Sequence, residues 1–321
     1  MLLLMALPLV VTFYLSVRNC ALEMEVVKVV ETTPFGSREM VTQRAKVDAS
    51  GNTIQICQYV GFEYFRKVLG IDEDTASSAG TPPDAGGTPA PAGQSKEFTG
   101  ALGFTLLFTL ITTPFAIVLG FIVAIAVNQT SPRSKSFLIS ASLMPTIITP
   151  IVGSLAIKWL FRDNGLIPYF LAQFDVSIFW MAQAWSARLL VILYGIWHST
   201  PFAFIVLYAG LQSVPQDSLE AATIDGATAW QKLRYVTLPH LAPLIIFIAL
   251  INLMDAYRVF EPVVVLTQGA FTTSVQYLTY SILVQENNPY KASAAAVLTT
   301  LGIGLIILPL LIKTWREQRG K

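Results

Sequence analysis

Four polar side chains recur at every third position of one otherwise apolar segment: Asn252, Asp255, Arg258 and Glu261. Three steps of an α-helix, at about 100° per residue, bring each of them back near the same face. Ionisable groups in a long apolar stretch are costly to bury and are therefore candidates for function. The stripe can hydrogen-bond a polar solute. Alternatively, Asp255 and Arg258 form a pair at i,i+3 that only holds helices together.

Covalent catalysis has little support in the sequence. The chain has two histidines, His198 and His240, and two cysteines, Cys20 and Cys57, which form no metal-ligand cluster and accompany no nucleophile motif. It also lacks a G-x-x-x-x-G-K-[ST] phosphate loop, so it cannot hydrolyse ATP by that route. We therefore expect no catalytic residue, metal or bound cofactor. Two cysteines are too few for a disulfide framework, and two free thiols are favoured over one bridge.

The elements that must position the polar stripe are membrane-spanning helices. Of the 321 residues, 54% are hydrophobic and 13% are charged, against about 25% charged in a soluble domain. A span needs about 20 apolar residues, and the shorter segment Met1–Val17 is interpreted as a first span rather than a signal peptide. Five further spans are predicted at Ala101–Val127, Phe137–Ile157, Leu189–Leu211, Leu244–Leu266 and Ala292–Ile312. The sequence thus predicts an all-α membrane protein with about six transmembrane helices, five of them in a core over 101–321.

Lysine and arginine residues in the short loops predict the orientation. With the N-terminus inside, the internal loops and the tail carry eight basic residues and the short external loops carry four. This bias favours a multi-pass protein with both termini in the cytoplasm. Residues 18–100 then form an external loop, whose stretch 75–95, rich in Thr, Pro, Ala and Gly, is expected to be disordered. The net charge of +1 gives no indication of a nucleic-acid partner.

Several residues inside the spans leave two interpretations open. His198 lies in the middle of the fourth span, where a lone histidine is either a packing residue or a contact to a solute. Pro145, Pro150 and Pro201 are expected to kink or interrupt their helices, which helices along a translocation path can use.

A hydrophilic segment over 212–243 follows the fourth span and has signals for two short helices. Ser213 with Gln216, and Thr228 with Gln231, have the spacing of a capping box. The segment thus predicts two helix starts about 15 residues apart, although an ordinary amphipathic loop has a similar periodicity.

The turn between these two helices is predicted at Asp225–Gly226, because glycine accepts positive φ and lets a second backbone approach closely. Leu238–Pro239 and Pro243 are expected to end the second helix before the fifth span. The result is a helix–turn–helix projection into the cytoplasm with small residues at its tip, which suits insertion into a partner.

The residue pattern of this projection resembles a known family. Glu220-Ala221-Ala222, Asp225-Gly226-Ala227 and Leu238-Pro239 are similar to the EAA loop of the permease subunits of ABC importers. The match covers many positions within one short segment and is therefore specific.

Two further motifs extend the resemblance from about residue 100 to the C-terminus. Asn164-Gly165-Leu166-Ile167 is similar to an external segment of sugar-type permeases, with Pro168 where that family has asparagine. Tyr257-Arg258-Val259-Phe260, followed by Val265-Leu266-Thr267 and Gly269, resembles the fifth-span signature of the first of two paired permeases in carbohydrate importers. The external loop is not covered.

The resemblance implies a type I ABC importer permease fold in the bacterial inner membrane. It implies as partners a second permease subunit, a dimer of ATPase subunits that binds the ATP and magnesium, a periplasmic solute-binding protein and the lipid bilayer. Docking to the ATPase would fall to Glu220, Ala221, Ala222, Asp225 and Gly226, and closure of the ATPase dimer would drive the permeases from inward-facing to outward-facing.

The same resemblance suggests a path for the solute. In maltose-type permeases the fifth span lines the solute site, and the matching positions here are Asn252, Asp255, Ala256 and Val259, beside Arg258. A di- or oligosaccharide such as an α-glucoside, or a related polyol, is expected. Glycerol phosphate or another small polar solute is the alternative, and one arginine facing Asp255 is a poor anion site. A secondary transporter without an ATPase, which would need no docking loop, and a membrane enzyme are the alternatives outside this family.

Overall fold

The computed structural model describes residues 2–22, 24–33, 36–46, 55–71, 94–174 and 178–319. Contacts within the chain divide it into two compact units. Unit 1 comprises Met1–Ser95 with Ile282–Leu298, and unit 2 comprises Lys96–Ser281 with Thr299–Lys321.

Unit 1 begins with an apolar helix and continues into two small antiparallel sheets. The elements are α1 (Leu2–Ser16), β1 (Arg18–Leu22), β2 (Met24–Thr33), β3 (Gly36–Ala45), β4 (Gln55–Tyr59) and α2 (Glu63–Leu69). Strand β1 pairs with β4, and β2 pairs with β3 along ten residues each. The helical prediction therefore applies to the rest of the chain, while the segment after α1 adds strands that the sequence analysis had not assigned. Most of the stretch predicted to be disordered, 75–95, lies outside the described residues.

The prediction of two free cysteines is wrong. Cys20 and Cys57 form a disulfide that joins β1 to β4. They lie directly opposite each other in the antiparallel register, although they are 37 positions apart in sequence. Counting cysteines cannot reveal this, because the proximity depends on the pairing of two distant strands.

The remaining helices run in order along the chain. They are α3 (Gln94–Gln129), α4 (Pro132–Ile147), α5 (Pro150–Phe161), α6 (Leu166–Ala172), α7 (Ala184–Gln212), α8 (Gln216–Ile224), α9 (Ala229–Lys232), α10 (Leu238–Tyr257), α11 (Val275–Val284) and α12 (Pro289–Arg319). Five-residue π-helical turns occupy Leu233–Thr237 and Val263–Thr267.

Within the described residues, four helices are long and apolar enough to cross a bilayer: Glu97–Gln129, Ala184–Gln212, Ala229–Tyr257 and Pro289–Pro309. A fifth span results if α4 and the following Pro150–Ala172 are one span, bent by 96° at the break between them. The predicted first span corresponds to α1, whose 15 residues form a shorter apolar helix. The number six therefore stays a prediction.

The break in the bent span confirms the interruption predicted at Pro150. Thr149 is extended, with φ −60° and ψ 144°, and Pro150 occupies the first position of α5. A residue that precedes proline avoids the helical region, and proline itself is favourable at a helix start. Pro145 and Pro201, in contrast, lie inside α4 and α7, which continue through them.

Small residues let α3 and α7 pack closely in unit 2. A Cβ at Gly120 would lie 2.7 Å from the Cβ of Ala203, and one at Gly195 would lie 2.5 Å from the ring of Phe108. Phe204, next to Ala203, is fully buried in the same cluster. Since lipid supplies no hydrophobic driving force between helices, such close approach is how membrane helices gain dispersion energy.

The predicted helix end at Leu238–Pro239 is wrong, because one helix continues from Ala229 to Tyr257. Proline lacks an N–H group, and in an α-helix its ring would clash with the carbonyl four residues earlier. Here the preceding turn is π-helical, and the N–H of Leu238 bonds to the carbonyl of Leu233, five residues back. The wider turn accommodates Pro239 without ending the helix.

The predicted fifth span Leu244–Leu266 is not one helix. Helix α10 ends at Tyr257, Arg258 caps it with φ −94° and ψ 23°, and helical structure resumes at Glu261. Pro262 explains the break, since proline is tolerated in the first turn of a helix but not in its interior.

Candidate functional site

A cavity of about 170 Å³ lies in unit 2 between the end of α10, the middle of α7 and the start of α5. Asp255, Ala256, Arg258 and Val259, four of the five predicted path residues, line it. Its other lining residues are Phe108, Pro150, Tyr194, Gly195, His198, Ser199, Glu261 and Pro262. Asn252 lies outside it. The structure thus gathers most of the predicted path around one space and adds His198 and Glu261.

The helix break, rather than a continuous polar stripe, brings the charged groups to this cavity. Asp255 lies in the last turn of α10, whereas Arg258 lies in the turn that follows. The N–H of Arg258 donates to the carbonyl of Asp255 at 3.1 Å. Because Arg258 has left the helix, i,i+3 pairing is lost, and no ion pair joins it to Asp255 in the described chain. The predictions of one helical stripe and of this pair are therefore wrong.

Two hydrogen bonds hold the segment after the break. The hydroxyl of Ser274 donates to the carbonyl of Val259 at 2.7 Å, and Lys158 Nζ donates to the carbonyl of Val265 at 2.6 Å. Both acceptors belong to the segment that carries Arg258 and Glu261. The wall of the cavity is therefore fixed by side chains from α5 and from the loop before α11.

The opposite wall is organised by Tyr194. Its hydroxyl donates to the carbonyl of Pro150 at 2.8 Å, which joins α7 to the start of α5. Its ring stacks on His198, with centroids 5.8 Å apart and an interplanar angle of 27°. His198 Nε2 is buried and has no hydrogen-bond partner among the described residues. His198 therefore both packs against Tyr194 and lines the cavity, while its Nε2 is buried without a partner in the described part of the chain.

The charge of the cavity favours some solutes over others. It contains two carboxylates, Asp255 and Glu261, and one guanidinium, Arg258. This balance disfavours an anion, while carboxylates, a hydroxyl and an imidazole suit the hydroxyl groups of a neutral solute. At about 170 Å³ the cavity is smaller than the roughly 300–1,000 Å³ of typical ligand pockets. A solute of two or more rings would require it to widen.

Asn252 has a different environment. It is 6% exposed, and its Nδ2 is buried without a hydrogen-bond partner in the described part of the chain. It lies on α10 almost one turn before Asp255. A buried amide without a partner is rare, so Asn252 is a candidate for contact with a bound group or with another subunit.

The second site is the hairpin formed by α8, the turn at Asp225–Gly226 and α9. The predicted break is confirmed, since Gly226 has φ +80°. No heavy atom of the described chain beyond its sequence neighbours lies within 4 Å of where its Cβ would be. The backbone conformation thus favours glycine, while space inside this chain does not demand it.

One of the two predicted capping boxes is present. The N–H of Gln231 donates to Thr228 Oγ1 at 3.4 Å, and the N–H of Thr228 donates to Gln231 Oε1 at 2.7 Å. The box at Ser213 and Gln216 is wrong, because α8 starts after Pro215 without a side-chain cap. Since α7 extends to Gln212, Ser213 instead caps its C-terminus and donates to the carbonyl of Gly210 at 2.8 Å.

The hairpin presents apolar side chains that nothing in the described chain covers. Ile224 is 87% exposed and Trp230 is 66% exposed, on either side of the turn. Among the predicted docking residues, Glu220, Ala221, Asp225 and Gly226 are exposed and Ala222 is half-buried. Ile224 and Trp230 were not predicted as docking residues, although an isoleucine and a tryptophan in a hydrophilic segment were a usable signal. Such a surface suits docking to another protein.

Comparisons with known proteins identify the family of this chain. The sequence profile of the family described as "Binding-protein-dependent transport system inner membrane component" matches residues 92–319. A probable ABC transporter permease protein of Sinorhizobium fredii is 30% identical over 232 residues, which cover 71% of this chain and 74% of the relative. The trehalose/maltose transport system permease protein MalF of Thermococcus litoralis is 30% identical over 58% of this chain and 65% of its own length.

The fold agrees as well. A crystal structure of a bacterial ABC transporter that imports the acidic polysaccharide alginate contains a chain with a TM-score of 0.62 and 24% identity, over 70% of this chain and 80% of that chain. The chain described here belongs to the family of inner-membrane components of binding-protein-dependent transport systems. It is an ABC importer permease, a transport component rather than an enzyme, as its sequence pattern predicted.

Proposed function

We propose that the chain forms a carbohydrate path together with a second permease subunit and couples it to a separate ATPase through the hairpin at Gly226. The observation that carries this proposal is the exposed apolar pair Ile224 and Trp230 at the tip of the hairpin. Removing such an apolar surface from water lowers the free energy, and only a partner can do this here.

The internal contacts of the hairpin would let it transmit a movement as well as bind a partner. Lys232 Nζ donates to Thr223 Oγ1 at 2.7 Å, and the capping box closes the start of α9. From Ala229 the helix continues without a break to Tyr257, where the cavity begins. A movement of the hairpin by an ATPase that holds ATP and magnesium would therefore reach the solute cavity through one helix.

The orientation proposed from the basic residues has independent support in the disulfide. Disulfides persist in oxidising compartments and are rare in the cytosol. The bridge Cys20–Cys57 thus favours an external location for the segment after α1. In this orientation both termini and the hairpin are cytoplasmic, and a periplasmic solute-binding protein delivers the solute from the other side.

A neutral di- or oligosaccharide is the solute that we favour. The charge of the cavity disfavours an anion such as glycerol phosphate, and the relative from Thermococcus litoralis is named for trehalose and maltose, which are both α-glucosides. Asp255, Ala256, Arg258 and Val259 would line its path. Asn252 would contact the solute or the second permease from its buried position.

Transport assays in proteoliposomes test the proposal. The chain, its partner permease, the ATPase and the binding protein are expected to move radiolabelled maltose or trehalose only when ATP is present on the ATPase side. Transport by this chain without the ATPase would contradict the coupling. Uptake of glycerol 3-phosphate with no uptake of either sugar would contradict the solute class alone.

The side of the hairpin is tested by labelling. Because the native cysteines are bonded to each other, Ile224→Cys adds the one reactive thiol of the described chain. A membrane-impermeant maleimide is expected to label it in inside-out vesicles and not in intact cells. Labelling from outside intact cells would overturn the proposed orientation.

A further inference from the structure

The short helix α2 in unit 1 has more apolar surface than the described chain covers. Tyr64 and Val68 are buried, and the ring of Tyr64 stacks on that of Tyr290 with centroids 6.5 Å apart. A second apolar row, Phe62, Phe65 and Leu69, follows at spacings of three and four residues, which places it on one face. Phe62 is 61% exposed and Leu69 is 37% exposed. One apolar face therefore packs inside the unit while the next remains open.

The remaining face of α2 is charged. Lys67 and Glu63 form an ion pair at 2.6 Å in which both side chains are about half-exposed, and Arg66 lies beside them. An apolar row bordered by basic residues is the pattern of a helix that lies in the plane of a membrane interface. Gly70, with φ +71°, ends the helix, and the N–H of Ile71 bonds back to the carbonyl of Arg66 at 3.0 Å. Ile71, which is 62% exposed, extends the apolar row.

Backbone hydrogen bonds place the start of α2 beside the end of α1. The N–H groups of Val60 and Gly61 both donate to the carbonyl of Val17, at 2.9 and 3.2 Å. The guanidinium of Arg18 lies 4.3 Å from the centre of the Tyr14 ring. Tyrosine and arginine at the end of an apolar helix mark the boundary between membrane and water. The turn into α2 is therefore at the level of that boundary, if α1 is in the bilayer.

The exposed side chains in the second half of α1 are apolar up to the turn that leads towards α2. Val10 is 64% exposed, and Phe13 and Tyr14 are each about half-exposed. Exposed apolar side chains therefore occur both near the end of α1 and along α2, which the hydrogen bonds to Val17 bring together at their ends. The disulfide Cys20–Cys57 joins the strand that follows α1 to the strand that precedes α2, and thus fixes the connection between the two helices.

We propose that the row Phe62, Phe65 and Leu69 lies in the interfacial layer of the outer leaflet and anchors unit 1 to phospholipid. Lipid is the occupant that this geometry favours, because the row begins where α1 ends and Arg66 and Lys67 border it. The proposal rests on α1 being in the membrane and is independent of the solute and of the ATPase.

Spin labels on the full chain test this anchor. Phe62→Cys and Leu69→Cys probe the row, and Lys67→Cys on the charged face of the same helix is the matched control. The native cysteines are bonded to each other, so a nitroxide attaches to the introduced thiol. Mass spectrometry of the labelled chain verifies that the native bridge is intact.

The chain is reconstituted alone into phospholipid nanodiscs, and the collision rates of each label with oxygen and with a nickel chelate are compared. The labels at 62 and 69 are expected to collide more with oxygen, which concentrates in lipid, and the label at 67 more with the chelate. Equal exposure of all three labels to the chelate would overturn the proposal. So would labels at 62 and 69 that become shielded from both reagents only when the second permease or the binding protein is added, because the row would then be a protein interface.

Discussion

Lys232 Nζ donates a hydrogen bond to Thr223 Oγ1 at 2.7 Å, across the turn at Asp225–Gly226. The same threonine hydroxyl donates to the carbonyl of Leu219 at 2.7 Å, so it acts both as an acceptor and as a donor. Helices α8 and α9 are thus joined by a contact that no local helix rule predicts. This contact makes the hairpin one body rather than two linked helices.

Lys232→Met and Thr223→Val are expected to loosen the hairpin. A hydrogen bond to a charged group contributes about 1.5–3 kcal/mol, and exposure to water places this one at or below the low end of that range. The ATPase activity that the binding protein stimulates should therefore fall several-fold while the permease still assembles. Thr223→Ser keeps the hydroxyl and is the control. Wild-type stimulation in both Lys232→Met and Thr223→Val would show that the contact is dispensable.

Gly226→Trp is expected to abolish uptake and to reduce the amount of ATPase that purifies with the permease. Its side chain would project from the tip of the hairpin, where this chain leaves open space. The φ of +80° at this position also costs a residue with a Cβ about 1–2 kcal/mol. Asparagine tolerates this conformation better than tryptophan does.

Gly226→Asn separates these two effects. It is expected to leave the hairpin folded and to reduce uptake less than Gly226→Trp does. Normal uptake together with an intact complex in Gly226→Trp would rule out a docking role for the turn.

The parts of the hairpin that sequence could predict are those set by local physics. Gly226 and the box at Thr228 depend on neighbours within three residues, and both are present. The helix end predicted at Leu238–Pro239 was wrong because proline breaks a helix only where the preceding turn is a regular α-turn. A π-helical turn at Leu233–Thr237 removes the clash between the Pro239 ring and the preceding turn. No residue type in that turn predicts π-helical geometry.

Asp255→Ala is expected to raise KM for the sugar or to change which sugar is taken up, while the complex assembles normally. Asp255 is exposed to the cavity and has no ion pair to Arg258 within the described residues, so its removal leaves no buried charge unpaired. Uptake kinetics and size-exclusion chromatography provide the two measurements. Loss of assembly with an unchanged KM in the assembled fraction would make Asp255 a structural residue instead.

The cavity was harder to predict than its residues. Alignment of the fifth span selected Asp255, Ala256 and Val259, which do line it. The assumption of one uninterrupted helix, however, placed Arg258 and Glu261 on a stripe that does not exist. Pro262 was the signal, since a helix cannot pass through it without losing a hydrogen bond. His198 could not be assigned from sequence, because its role depends on Tyr194 and on the distant Pro150.

The packing of α3 on α7 predicts that one added methyl group lowers the stability of the chain at Gly120 but not at Gly103. Gly120→Ala would place a Cβ 2.7 Å from that of Ala203 and 2.8 Å from the backbone nitrogen of Phe204, so the helices must separate. Overpacking of this kind costs about 1–3 kcal/mol, and the Tm of the purified chain in detergent should fall. Gly103→Ala is the matched control on the same helix, because no heavy atom of the described residues outside its own stretch of helix lies within 4 Å of its Cβ position, and alanine has the higher helix propensity. Adding Ala203→Gly to Gly120→Ala should recover only part of the Tm, since the Phe204 nitrogen remains in the way. Equal Tm values for Gly120→Ala and Gly103→Ala would mean that the two helices are not in the close contact described here.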